Sequence, residues 1–272
     1  MVALLAWKAA RAAKLELDAF EPRRGPVARP AGLPAEARDV GFGAGIKGWW
    51  VPSRSGAVVV LAHASNADRS QLAHELALLA GHGYGVLAFD WPGHGESAGV
   101  VRAGRAELDA VRAAVDFVVA EPGVRADRVG ALGFSFGASL LLAAAREEPR
   151  LRGLVLEGAF TDAVEQTGYE CRGWGPVTRW PGQWVARSKI EGGNLRPIDG
   201  AEALRGRTKV LAITGTKDGT VPPSMSDEIV RATGGELWSI PGCGHGGYWE
   251  ARPVEYDARV VAFFDDALAA HE

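Results

Sequence analysis

The chain has 272 residues, 47% of them hydrophobic and 23% charged, enough to bury the core of one soluble α/β domain. A formal net charge of -3, with no dense basic stretch, argues against a nucleic-acid partner. The two cysteines, Cys171 and Cys243, form no CxxC pair, so no structural metal is expected and a reducing compartment, the cytoplasm, is favoured.

Residues 1–20 carry no positive charge ahead of their apolar run, and Lys8 interrupts that run, which speaks against a secretory signal. Leu4, Leu5, Lys8, Arg11, Leu15 and Leu17 are spaced as an amphipathic helix. Docking on the domain is its expected role. The alternative is weak contact with a membrane surface, which would make the protein peripheral to a membrane. A proline-rich connector at 26–37 follows, so residues 1–37 form an arm and 38–272 the main domain.

From residue 38 strands and helices alternate. Apolar strands are expected at 46–51, 57–63, 84–90, 127–134, 151–158, 208–214 and 235–240. Helical spacing covers 68–83, 104–121, about 138–147 and about 253–270. Continuous apolar strands separated by helices predict a parallel sheet with helices on both faces. The stretch 160–197, with Trp174, Trp180 and Trp184 close together, breaks this rhythm and reads as a short lid insertion.

In such a sheet, ligands bind beyond the carboxyl ends of the strands. The segments found there are "HASNADR" after 57–63, "DWPGHGES" after 84–90, "FSFG" after 127–134, "GTKDGTVPP" after 208–214 and "PGCGHGG" after 235–240. They supply Ser135, Asp218 and His245 in chain order. A serine hydroxyl is a poor nucleophile near neutral pH. It needs a base within hydrogen-bonding reach, and that base needs a carboxylate to hold its tautomer. Glu157, at the end of its strand, is a second candidate for the acid. Two G-x-G-x-x-G matches, at Gly43 and Gly242, lie outside any strand-to-helix turn and carry no dinucleotide site. His74-Glu75 opens an H-E-x-x-H look-alike in which Leu78 replaces the second histidine, so no zinc protease is expected. No cofactor or metal is called for.

With G-F-S-F-G at 133–137 and these segments in this order, residues 38–272 resemble the α/β-hydrolases. Asp90, Gly93, Gly95 and Ser97 match that family's D-x-x-G-x-G-x-S, and Gly215, Asp218, Val221 and Pro222 its G-x-x-D-x-x-V-P. The short lid and "RPIDGAEAL" are similar to the small serine hydrolases of the prolyl-oligopeptidase-like branch. The resemblance implies an α/β fold with a mostly parallel eight-stranded sheet, helices on both faces and a short lid insertion, and catalysis by Ser135, Asp218 and His245. It places one oxyanion-hole amide on Phe136 and the other on the loop after 57–63, on Ser65 or else Ala64, where this chain has His63-Ala64 in place of the usual His-Gly. His63, Phe134, Trp174, Trp180 and Trp184 are the candidate pocket residues. The function so implied is a serine hydrolase cleaving esters or thioesters of small or medium apolar acyl groups, so the expected partner is a small-molecule acyl ester. A serine peptidase and a non-catalytic ligand-binding member of the fold are the alternatives.

Overall fold

A computed structural model describes residues 7–14, 22, 24–175 and 178–270, without the side chains of 173 and 174. Eight strands form one sheet in the order β1-β2-β4-β3-β5-β6-β7-β8. They are β1 Arg38–Phe42, β2 Ile46–Val51, β3 Val58–Ala62, β4 Gly85–Phe89, β5 Val129–Phe134, β6 Leu151–Glu157, β7 Lys209–Gly215 and β8 Glu236–Ile240. β1 pairs with β2 and β2 with β4 antiparallel, and every other pair is parallel. This is the mostly parallel, eight-stranded sheet that the resemblance implies. β3 and β4 are buried along their whole length, as strands covered on both faces must be.

Helix α1 covers residues 7–14, with Ala12 buried and Trp7 exposed. Leu4, Leu5, Leu15 and Leu17 lie outside the described residues. The later helices are α2 Ala73–Gly81, α3 Arg105–Val119, α4 Phe136–Ala145, α5 Ala163–Glu170, α6 Arg179–Lys189, α7 Pro223–Thr233, α8 Tyr248–Ala251 and α9 Pro253–Ala267. α3 buries Ala110, Val111, Ala114, Val115 and Val118 on one face of the sheet. α9 buries Tyr256, Val260, Phe264 and Ala267 on the other, and each set keeps the spacing of one helical stripe. Among the described residues no helix is long and apolar enough to cross a membrane.

Three expected boundaries move. The helix foreseen at 68–83 starts as a 3-10 turn, Arg69–Leu72, whose N-cap Asp68 accepts from the Ser70 amide, and becomes α2 only at Ala73. α4 starts at Phe136, directly on the serine turn, so no residues separate nucleophile candidate and helix. Residues 160–197 hold two packed helices, α5 and α6, where α6 contributes Ala186 to the main core.

Candidate active site

Each segment at the carboxyl edge of the sheet is placed by local chemistry. Ser135 sits between β5 and α4 with φ 54 and ψ -113, a left-handed backbone that a β-carbon disfavours. The turn is held by its surroundings. The Ser135 amide donates to the Glu157 carbonyl at 2.7 Å, and the Ser139 amide and hydroxyl both donate to the Ser135 carbonyl, at 3.0 and 3.1 Å. The flanking glycines are steric requirements. A Cβ on Gly137 would collide with the carbonyl of Ala62 in β3, and one on Gly133 would meet the Ala138 amide at 2.7 Å. Among the described residues only Ala103 and Ser135 are non-glycine residues with positive φ, and both line one cavity.

The three groups that the sequence separates meet here. His245 Nε2 lies 2.9 Å from Ser135 Oγ, and Nδ1 lies 2.7 Å from Asp218 Oδ2. Asp218 is buried, and its other oxygen accepts from the Thr220 and Val221 amides, each at 2.8 Å. A carboxylate so held receives Nδ1–H and leaves Nε2 as an acceptor facing the hydroxyl. The Phe134 ring lies against the imidazole with centroids 5.1 Å apart, so one face of the base is shielded from water.

Glu157, the rival acid, points elsewhere. The Tyr256 hydroxyl lies 2.5 Å from its carboxyl and 3.0 Å from that of Glu75. One phenol proton cannot serve two carboxylates, so one carboxyl must retain its own proton. Burial and the neighbouring Glu75 hold Glu157 well above the usual carboxylate range, and burial raises Glu75 as well.

The loop after β3 is fastened on every side. The Trp91 indole N–H donates to the His63 carbonyl at 2.8 Å, while the Ala64 amide of the same peptide donates to Gln71 Oε1 at 2.8 Å. His63 Nε2 accepts from the Trp91 amide at 3.2 Å, so Nδ1 carries the proton and donates to the Ala64 carbonyl at 2.7 Å. Burial, with His94 close by, pushes the His63 imidazole down to about 3. His94 Nε2 donates to the Ser65 carbonyl at 2.5 Å. Arg69, buried over the Trp49 ring, makes ion pairs with Asp90 and Glu96. Among the described residues neither the Ser65 nor the Phe136 amide has a partner.

The cavity at Ser135 has a volume of about 330 Å³. Ala103, Phe160, Ala186, Ile190 and Leu195 give it an apolar wall, while Gln166, Glu170 and Thr220 stand on a polar side. Gln166 donates both to Glu170 at 2.9 Å and to the Thr220 carbonyl at 3.1 Å. Burial pushes the Glu170 carboxyl above its usual range.

Of the expected pocket residues, Phe134 lines this cavity together with Ser65 and Phe136. His63 does not. It is buried beneath the loop and shapes it through Trp91 and Ala64. Trp180 and Trp184 do not either. They are 78% and 71% exposed on α6, whose opposite face supplies the cavity wall. The side chain of Trp174 lies outside the described residues. The sequence reading missed Gln71 and the tie from His94 to Ser65. Asp68 followed three residues later by Gln71 had a signal, since it has the form of a helix-capping box. Gln71, however, turns its side chain to the Ala64 amide.

The sequence profile of the prolyl oligopeptidase family (peptidase S9) matches residues 70–271. No curated protein matches the chain in sequence. Among solved structures the chain is similar to an esterase of Pyrococcus furiosus, with TM-score 0.77 and 22% identity over 92% of this chain and 98% of that one. It is similar to 2,6-dihydroxy-pseudo-oxynicotine hydrolase, with TM-score 0.68 and 20% identity over 87% of this chain and 68% of that one. It is also similar to the acylaminoacyl peptidase of Pyrococcus horikoshii, with TM-score 0.68 and 17% identity over 87% of this chain and 42% of that one. At these identities the structural likeness is one of fold.

Proposed function

Because this chain belongs to the prolyl oligopeptidase family, serine hydrolases of the α/β fold, we propose that it cleaves esters or thioesters of small or medium apolar acyl groups through an acyl-enzyme on Ser135. The observation that carries this reading is the 330 Å³ cavity, whose apolar wall faces the hydroxyl of Ser135. That volume lies near the low end of the roughly 300–1,000 Å³ typical of ligand pockets.

His245 Nε2 takes the Ser135 proton as Oγ attacks the carbonyl carbon. Asp218 holds Nδ1–H and stabilises the imidazolium that forms. The new oxyanion is received by the Phe136 amide, at the start of α4 where the helix dipole favours negative charge, and by the Ser65 amide. Peptide planarity supports Ser65 over Ala64. The carbonyl paired with the Ser65 N–H is tied back to His63, which turns that N–H the opposite way, while the Ala64 amide is engaged by Gln71. The imidazolium then protonates the leaving alkoxide or thiolate. A water, deprotonated by the same Nε2, attacks the acyl carbonyl and frees Ser135.

Glu170 favours a second reading. It is the one acidic residue of α5 and α6 lining the cavity, and a carboxylate there suits a substrate with an ammonium group, as in an aminoacyl amide. A panel of p-nitrophenyl acyl esters beside aminoacyl p-nitroanilides separates the two. The ester reading expects kcat/KM to peak at short or medium chains and the anilides to turn over at least about a hundredfold more slowly. Anilides hydrolysed as fast as the best ester, with that rate lost in Glu170→Gln, would replace it by the peptidase reading.

A further inference from the structure

Helix α6 has two working faces. Val185, Ala186 and Ile190 turn inward, and Ala186 and Ile190 form part of the cavity wall. Outward stand Trp180 and Trp184, one turn apart, 78% and 71% exposed. Arg187, one turn beyond Trp184, shares their face and Arg179 stands at its edge, both exposed, and the helix RWPGQWVARSK holds no carboxylate. Neither arginine makes an ion pair with a described residue, although arginines elsewhere are paired, as in Arg38–Glu121, Arg105–Asp109, Arg150–Glu148 and Arg259–Glu255. A local positive patch thus stands on a chain whose net charge is -3.

Exposed indoles this close together are costly in water unless something covers them. Indoles settle readily at the boundary of headgroups and acyl chains, and unpaired cations beside them are attracted to anionic headgroups. We propose that the outer face of α6 docks on an anionic lipid surface, with Trp180 and Trp184 inserted at the interface and Arg179 and Arg187 on the headgroups. A protein partner would have to match both the indoles and the cations. A lipid layer meets both without shape. Docking there would bring the cavity wall on the reverse of the same helix next to the lipid. Binding is measured without turnover, so its outcome is independent of the ester reading.

Flotation of the full chain with vesicles of phosphatidylcholine containing 30% phosphatidylglycerol, and with phosphatidylcholine alone, tests this. Each cation near an anionic surface contributes about a fivefold gain in partitioning. The chain is expected to float with the anionic vesicles, at least about tenfold more weakly with the neutral ones, and to be released by high salt. Trp180→Ser/Trp184→Ser should lower anionic binding by about tenfold or more, with hydrolysis of soluble p-nitrophenyl acetate unchanged as the control for folding. Three results overturn the proposal. The wild-type chain fails to float; or the double variant floats as well as wild type, which places the contact elsewhere, such as on residues 7–14; or the chain is a dimer that the double variant dissociates, with no vesicle binding.

Discussion

Ser135→Ala is expected to lower turnover of the best ester by on the order of 10⁶, the size of loss seen when a nucleophile is removed from a serine triad. The fold should survive. The ties that hold the turn run through the Ser135 amide and carbonyl and through Ser139, and alanine at 135 keeps all of them. Its β-carbon suffers the same left-handed backbone as that of serine. Steady-state hydrolysis checks the loss, and an unchanged circular dichroism spectrum and thermal midpoint check the fold. A fall of less than about tenfold would mean that Oγ does not form the acyl bond.

The second large effect is expected at the acid. Asp218→Asn should cost on the order of 10⁴ in kcat, because the amide can present its NH₂ to Nδ1 and so favour the wrong imidazole tautomer. Glu157→Gln should change kcat by less than about threefold, since its side chain reaches Tyr256 and not His245. The two variants also separate by pH. A carboxyl whose folded pKa is raised contributes stability that is full below its unfolded pKa and is lost as pH rises toward the folded one. Glu157 is such a group, so the wild type should lose about 1.4 kcal/mol per pH unit above about 4.5 for as long as the shared proton stays bound. Glu157→Gln removes the part of that slope due to Glu157, leaving the part due to Glu75, and its thermal midpoint should gain on the wild type between pH 5 and 8. A kcat profile in which Glu157→Gln is severe and Asp218→Asn mild would reverse the assignment.

The sequence made the edge of the sheet readable because its chemistry is local. Gly133 and Gly137 are required by contacts within the turn and with β3, and β5 and β7, which lead into Ser135 and Asp218, are largely continuous apolar runs. The ties of Asp90 and Ser97, which fold the "DWPGHGES" loop back on itself, also act over a few residues. What the sequence hid depends on tertiary choice. Along 179–190 apolar residues fall on two sides of the helix, the indoles of 180 and 184 on one and Val185, Ala186 and Ile190 on the other. Periodicity alone does not say which side turns inward. The structure turns the smaller set inward, where Ala186 and Ile190 line the cavity. Gln71 was hidden for a similar reason. Its partner, the Ala64 amide, is brought within reach by the 3-10 turn at Arg69–Leu72, where the pattern reads as unbroken helix. Likewise Glu157 ends its strand where an acid could serve His245, and only the packing of α2 and α9 against the sheet brings Glu75 and Tyr256 to it.

The most direct measurement is the site of covalent attack. A fluorophosphonate needs a nucleophilic oxygen, a base to take its proton and donors for the phosphoryl oxygen, all in one cleft. The native chain, treated with such a probe and digested for mass spectrometry, should carry one adduct, on Ser135, and that adduct should vanish after heat denaturation and in Ser135→Ala. A native, folded chain that hydrolyses esters yet takes the probe on another residue, or on none, would contradict the account.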